Sequence, residues 1–415
     1  MVRRRNLKCG LLLSFTLVSV GLFFAFREKS SIDIADSQDL HRVTQKLLSV
    51  ADPTGPHLQG DNVNYDDSTT KLMPPLTRKR HVLLIVAHGR SGSTFLADIF
   101  DKHPRVFYVF EPLHGIRGLQ AKNYDEFATN FLVHIFQCDF SVGNSTWNIG
   151  HFYRFKSRAL SSPPFCKYKQ EDPRWNRYYC LPVKQKDLEQ SCREHDTTVY
   201  KLLLERIPGK TIEKLFEVCE VVGIRCKVIH LIRDIRPLVM SSQKVVFFKE
   251  FDWLEMPSMR QFVYSRCEVT ERNLNLVKEF GPSLRSRVTL VRFEDLAVEP
   301  LKVLEYLYEF ARLEVLENIT NWVVKITQPS LKDLKAEGRG AVSVVRNSLE
   351  VLNKWRLAAD ICYVHLIERY CRDVMKLMGY IATEGSVEML QNLEIPLINE
   401  TYQAQYWGRS SFSRI

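Results

Sequence analysis

Residues 88–95 read His-Gly-Arg-Ser-Gly-Ser-Thr-Phe, which places a guanidinium, three hydroxyls and two glycines in one short stretch. Arg90 carries a planar fork of N–H donors that suits a phosphate or sulfate. Ser91, Ser93 and Thr94 add hydroxyl donors, and Gly92 permits a positive φ and close approach of a ligand to the backbone. No lysine precedes the Ser/Thr here, as it would in a nucleotide triphosphatase loop. The turn therefore suits a donor with one 5′ phosphate carrying a second anionic group. Farther along stand Glu111, Arg233, Ser241, Arg292, Lys354 and the run Arg346-Asn347-Ser348. A carboxylate beside an anion cradle is the residue type that takes a proton from an attacking hydroxyl. Partial burial is expected to raise the pKa of Glu111 and improve it as a base. His88 and His114 are the alternative bases.

Such residues need a frame, and the hydrophobic pattern supplies one. Residues 82–87 form an apolar run short enough for a buried strand, and the segment opening at Ser93 carries Phe95, Leu96, Ile99 and Phe100 at helical spacing. Strand, glycine turn and helix start together aim unpaired N–H groups and a positive dipole end at the turn. Further runs predict strands over 106–110, 198–204, 226–232 and 288–291, and helices over 124–137, 212–222, 258–280, 300–313 and 349–377. Alternating strands and helices argue for an α/β class, a P-loop-like three-layer sandwich around a central parallel sheet. Ligands of such sheets bind beyond the carboxyl ends of the strands. Residues 88–93, Glu111, Lys201 and Arg233 are all expected just beyond strand ends, where Lys201 could meet a sulfate or an acidic acceptor. Residues 138–195, rich in aromatics, Pro, Arg and Cys, read as an inserted loop region over the acceptor site.

Arg90-Ser91-Gly92-Ser93-Thr94-Phe95, followed by Phe110-Glu111-Pro112-Leu113, resembles the Golgi carbohydrate 6-O-sulfotransferases of galactose, N-acetylgalactosamine and N-acetylglucosamine. Collinear matches follow at 231–237 running on to Ser241, at 291–296, and at 345–348 with Lys354-Trp355-Arg356; together they cover roughly residues 81–380. The resemblance implies that Arg90 to Phe95 form the 5′-phosphosulfate loop for 3′-phosphoadenosine 5′-phosphosulfate. It assigns Arg233 and Ser241 to the 3′ phosphate, and Arg346, Asn347, Ser348 and Lys354 to the segment closing over the nucleotide; Arg292, ending a strand next to the site, is expected to contact the donor, with a structural ion pair as the alternative. The register from Arg90 to Glu111 is also similar to that of tyrosylprotein sulfotransferases, in which the matching Glu is the proposed base. Sulfate transfer to the 6-hydroxyl of a sugar in a keratan- or chondroitin-type chain is the implied reaction, with a glycan or proteoglycan acceptor and no metal. The rival readings are a tyrosylprotein sulfotransferase and a catalytically silent, membrane-anchored glycan-binding protein.

The totals agree with one large domain and appendages. The chain has 415 residues, 45% hydrophobic and 26% charged, with a net charge of +10. Its basic residues are scattered and no RNA or DNA motif appears, so nucleic acid is not an expected partner; the excess suits a polyanionic donor and an anionic glycan. Residues 9–26 are apolar behind Arg3, Arg4, Arg5 and Lys8, which reads as an uncleaved signal anchor with its basic flank cytoplasmic. The expected division is a cytoplasmic tail at 1–8, the transmembrane helix at 9–26, a luminal stem at 27–80, the catalytic domain at 81–390 and a tail at 391–415. A single-pass type II Golgi membrane protein follows, compatible with a homodimer. Ten cysteines and the sequons at Asn144, Asn318 and Asn399 fit an oxidising lumen and glycosylation.

Overall fold

Five apolar runs form the strands of one parallel sheet: β1 (His81–Ala87), β2 (Val106–Phe110), β3 (Thr197–Leu203), β4 (Cys226–Ile232) and β5 (Val288–Arg292). Their order across the sheet is β2-β3-β1-β4-β5, and each neighbouring pair runs parallel. The computed structural model describes residues 80–116, 123–142, 154–244, 256–337 and 343–399. The expected anchor at 9–26, the stem short of residue 80, Asn144 and the tail beyond 399 lie outside the described residues. Among those described, no helix is long and apolar enough to cross a membrane. Asn318 and Asn399 are both exposed.

The helices that matter below are α1 (Ser93–Asp101), α2 (Tyr124–Phe136), α3 (Gln185–Glu194), α4 (Ile212–Val221), α5 (Ile235–Gln243), α6 (Met256–Glu279), α7 (Phe293–Val298), α8 (Pro300–Ala311), α9 (Glu317–Thr327), α10 (Ser348–Ala358), α11 (Ile361–Tyr370) and α12 (Arg372–Leu377). Strand side chains alternate between faces, and β1 shows the result. Val82, Leu84 and Val86 enter a core completed by α2, α4, α5 and α6, while Leu83, Ile85 and Ala87 enter one completed by α1, α8 and α9. The three layers expected from the sequence are thus present, with both sheet faces covered. Because β1 lies between β3 and β4, the chain crosses over it on its way between those strands, and the carboxyl end of β1 opens at that topological switch.

Two expectations need correction. The single helix expected over 349–377 is three helices. Ala359 is extended and the Asp360 carboxylate accepts the Cys362 N–H, so the backbone leaves one helix and starts another. A second break falls at Cys371, whose sulfur is bonded to Cys267 in α6. The described residues around Arg158 also do not lie over the cradle end of the sheet. The Arg158 N–H donates to the Asp101 carboxylate at 2.8 and 3.0 Å, and its guanidinium reaches the His103 carbonyl at 3.2 Å. That is the turn from α1 into the amino end of β2, opposite the carboxyl end of β1. Disulfides Cys138–Cys192, Cys166–Cys180 and Cys219–Cys226 fasten the loops around this frame.

Candidate active site

The cradle begins where β1 runs out. His88 is buried, its Nδ1 3.1 Å from Glu205 Oε1 and its Nε2 3.0 Å from Thr270 Oγ1. It pins the turn from below rather than facing a substrate. Arg90 and Gly92 both take left-handed backbone, at φ +73° and +86°, and swing the chain into α1. The Leu96 N–H to Gly92 carbonyl bond of 3.2 Å opens the helix, so the preceding N–H groups face the mouth of the turn. No side chain caps that end.

Gly92 has no alternative here. A Cβ at this position would stand 2.3 Å from Cδ2 of Phe293, on top of the left-handed φ. Gly92→Ala is expected to destabilise the fold by about 2–4 kcal/mol, from the backbone penalty plus overpacking, and to weaken anion binding. Denaturation of Gly92→Ala, Phe293→Leu and the double variant checks the cause. The double variant should be less destabilised than the sum of the singles, because the smaller side chain removes the clash.

Three arginines converge beyond this turn. Arg90 Nε donates to Ser241 Oγ of α5 at 3.1 Å, and an Arg233 N–H donates to the Arg90 carbonyl at 3.0 Å. Arg233 also lies over the Phe293 ring, 4.5 Å from its centroid. Burial, together with the like charges of Arg233 and Arg346, pulls the Arg90 pKa down to about 10. Burial also lowers Arg233; Glu294 and Asp234 oppose the shift and Arg346 adds to it. Arg233 Nε is buried with no hydrogen-bond partner. An unsatisfied buried donor among mutually repelling cations is costly unless an anion completes it.

Behind Arg233 lies a polar layer. Glu294 accepts the Asp234 N–H at 3.0 Å and the Tyr380 hydroxyl at 2.8 Å. Burial raises its pKa to about 7, with Asp234 adding to the shift and Arg233 opposing it. Arg236, fully buried, is clamped by Asp234 and by Glu368 at 2.8 Å, so it is structural.

The remaining expected donor contacts have local occupations. Arg292 forms a two-pronged pair with Asp295 at 2.8 and 2.7 Å and donates to the Met378 carbonyl. The Asn347 side chain caps α10 by accepting the Glu350 N–H, Ser348 Oγ donates to the Ala297 carbonyl, and Lys354 is exposed. Of the closing segment, Arg346 is felt electrostatically at the arginine cluster.

Glu111 follows β2 in left-handed backbone, φ +43°. Its carboxylate accepts from Lys201 at 2.7 Å and from Arg206 at 2.5 Å. Lys201 sits within β3, not beyond its end, and also donates to Thr94 Oγ1 at 3.1 Å, tying Glu111 to the start of α1. The expected rise in the Glu111 pKa is reversed. Burial alone pushes it up, but Lys201 and Arg206 outweigh burial and hold the carboxyl below its ordinary value. His114 donates its backbone N–H to the Glu111 carbonyl.

The sequence reading passed over Phe293, Arg206 and the Glu294–Tyr380 pair. Phe293 and Glu294 lie inside the 291–296 match, where only Arg292 drew notice. Arg206 follows β3 at the carboxyl end of the sheet, the same positional signal that marked Arg233 after β4.

A family model described as "Sulfotransferase domain" matches residues 80–379, and the chain belongs to that family. Human carbohydrate sulfotransferase 6 is 27% identical over 338 residues, covering 76% of this chain and 84% of the relative. Human carbohydrate sulfotransferase 3 is 27% identical over 366 residues, covering 79% and 72%. Mouse carbohydrate sulfotransferase 5 is 25% identical over 343 residues, covering 78% and 86%. Among solved structures, retinol dehydratase in a complex with retinol and PAP aligns at 12% identity and a TM-score of 0.37, covering 71% of this chain and 81% of that one. Among the described residues, no group of three or more His, Cys, Asp or Glu could hold a metal ion.

Proposed function

We propose that the chain transfers sulfate from 3′-phosphoadenosine 5′-phosphosulfate to the 6-hydroxyl of a galactose, N-acetylgalactosamine or N-acetylglucosamine unit in a keratan- or chondroitin-type glycan. It would do so as a single-pass type II protein of the Golgi membrane, with the catalytic domain luminal. The convergence of Arg90, Arg233 and Arg346 at the carboxyl ends of β1 and β4 carries this reading. The residues fit such a donor, because a buried Arg233 Nε awaits an acceptor beside the left-handed turn at Arg90 and Gly92, whose helix start has no side-chain cap. The carbohydrate sulfotransferases among the relatives support a sugar as acceptor.

Bound there, the donor supplies the sulfuryl group and a nucleotide leaving group. Arg233 and Ser241 would hold the 3′ phosphate, and Arg346 would close over the nucleotide. The N–H groups of Gly92 to Phe95 and the hydroxyls of Ser91, Ser93 and Thr94 would receive the 5′ phosphosulfate, the Ser91 N–H being taken by the His88 carbonyl, and Arg90 would bind the 5′ phosphate and stabilise charge on the leaving group. Positioning and charge stabilisation dominate such a transfer. Lys201 bridges Thr94 and Glu111, which keeps the base in register with the cradle. Glu111 takes the proton of the attacking hydroxyl.

The test incubates the full chain with radiolabelled donor and a panel of desulfated glycans and tyrosine peptides. Label on the 6-position of a hexose unit is expected. Label on peptide alone would make the protein a tyrosylprotein sulfotransferase, and label on nothing would leave a glycan-binding protein.

A further inference from the structure

A pocket of ≈ 190 Å³ opens beside α11 and α12, lined among others by His365, Arg369, Arg372, Lys376, Tyr380 and Glu384. The first four recur at intervals of four, three and four residues, which keeps them on one side across the break between the helices. Arg369, Arg372 and Lys376 are exposed, and among the described residues none of the three side chains has an ion-pair or hydrogen-bond partner. His365 adds a buried Nδ1 that likewise has no partner. The acidic Glu368 in the same wall cannot neutralise them. One of its oxygens accepts from Arg236 and the Thr383 N–H, and the other from the Thr383 hydroxyl. Glu384 is the other carboxylate in the lining.

The pocket lies toward the Arg233 end of the sheet. Tyr380 in its wall donates to Glu294, and Glu294 accepts the N–H of Asp234, next to Arg233. It is smaller than a site for a whole drug-sized ligand, and its cations reach into solvent. That shape suits one anionic group on a longer chain rather than an enclosed small molecule. We infer that the pocket is a subsite for a sulfate ester already present on the acceptor chain, held by Arg369, Arg372 and Lys376. The inference rests on the reading that the acceptor is a glycan. Sulfation would then favour further action on the same chain, because each modified unit adds a handle for this second contact.

The test measures binding of the full chain to a size-defined sulfated oligosaccharide, to its chemically desulfated counterpart and to inorganic sulfate. The parent should prefer the sulfated form, and the preference should shrink with added salt. Arg372→Gln/Lys376→Gln should weaken binding of the sulfated form by about tenfold, the sum of two exposed charge contacts. The same variant should transfer to the desulfated acceptor at the parent rate and bind adenosine 3′,5′-bisphosphate unchanged, which also shows that it folds. Arg372→Lys/Lys376→Arg should restore most of the lost affinity. Equal binding of the sulfated form by parent and Gln variant would overturn the subsite. Inorganic sulfate binding as tightly as the oligosaccharide would overturn its chain-borne source. A parent that transfers to no glycan, yet binds the sulfated chain through Arg372 and Lys376, would sink the acceptor reading and leave the subsite standing.

Discussion

Arg233→Met is expected to remove nearly all the thermal stabilisation that adenosine 3′,5′-bisphosphate confers, while leaving the unliganded protein close to its parental stability. Truncating one partner of a buried, charge-assisted contact costs about 2–5 kcal/mol of binding, so affinity should fall ~100-fold, a value toward the lower end of that range. At a ligand concentration about 100 times the parental Kd, stabilisation of about 2.7 kcal/mol would drop to about 0.4 kcal/mol. The free protein should lose much less, because Glu294 can take a proton once the Arg233 charge that opposes its raised pKa is gone. Methionine keeps the stack on Phe293, and the lost bond to the Arg90 carbonyl costs about 1 kcal/mol. Removing one of three crowded cations returns part of that. Arg236→Met makes the contrast. Three residues away in sequence, this arginine holds Asp234 and Glu368 in a fully buried cluster, and its loss should cost about 3–5 kcal/mol of folding stability by stranding two carboxylates. Melting curves with and without the nucleotide separate the two. Nucleotide stabilisation that survives in Arg233→Met would remove Arg233 from the binding site.

The same pair shows what the sequence can and cannot disclose. Both arginines stand in one short match, and nothing local says that one keeps an unpartnered buried Nε while the other is enclosed by carboxylates. The difference is made by Glu368, which arrives from α11 more than a hundred residues later. Strands were the most legible part. β2 and β4 have the bounds expected of them because parallel strands buried on both faces read as unbroken apolar runs between turns. The 349–377 stretch misled because its apolar spacing continues across breaks marked only by Asp360 and Cys371. In the site, the turn around Arg90 was legible from its own residues. The Arg292–Asp295 pair is also local, three residues apart, and is the ion pair that stood as the alternative to a donor contact. The electrostatic state of Glu111 was out of reach, since Lys201 and Arg206 are brought to it by the pairing of β2 with β3.

That state shapes the other large effect. Glu111→Gln is expected to lower turnover by about 10²–10⁴-fold, the usual worth of a positioned proton acceptor, with adenosine 3′,5′-bisphosphate binding kept within a fewfold. A base held by two cations is a weaker acceptor than an isolated carboxylate, but it remains ionised at lower pH. With its pKa depressed below the ordinary 4.5, the acid limb of the rate profile should fall below that value. The same sign applies to stability: the contribution of the Lys201–Glu111–Arg206 cluster is present above pH 4.5 and is lost as pH falls through the lowered pKa. A loss of rate in Glu111→Gln alone would not separate chemistry from architecture, because Lys201 is left buried without its carboxylate. Arg206→Met does separate them. It removes one of the two cations, so the Glu111 pKa should climb toward its ordinary value and carry the acid limb of kcat/KM to higher pH, while the rate at neutral pH stays within about tenfold of the parent. A carboxylate that merely braces the end of β2 would lose stability in this variant without moving that limb. An unmoved limb would therefore assign the proton to another acceptor.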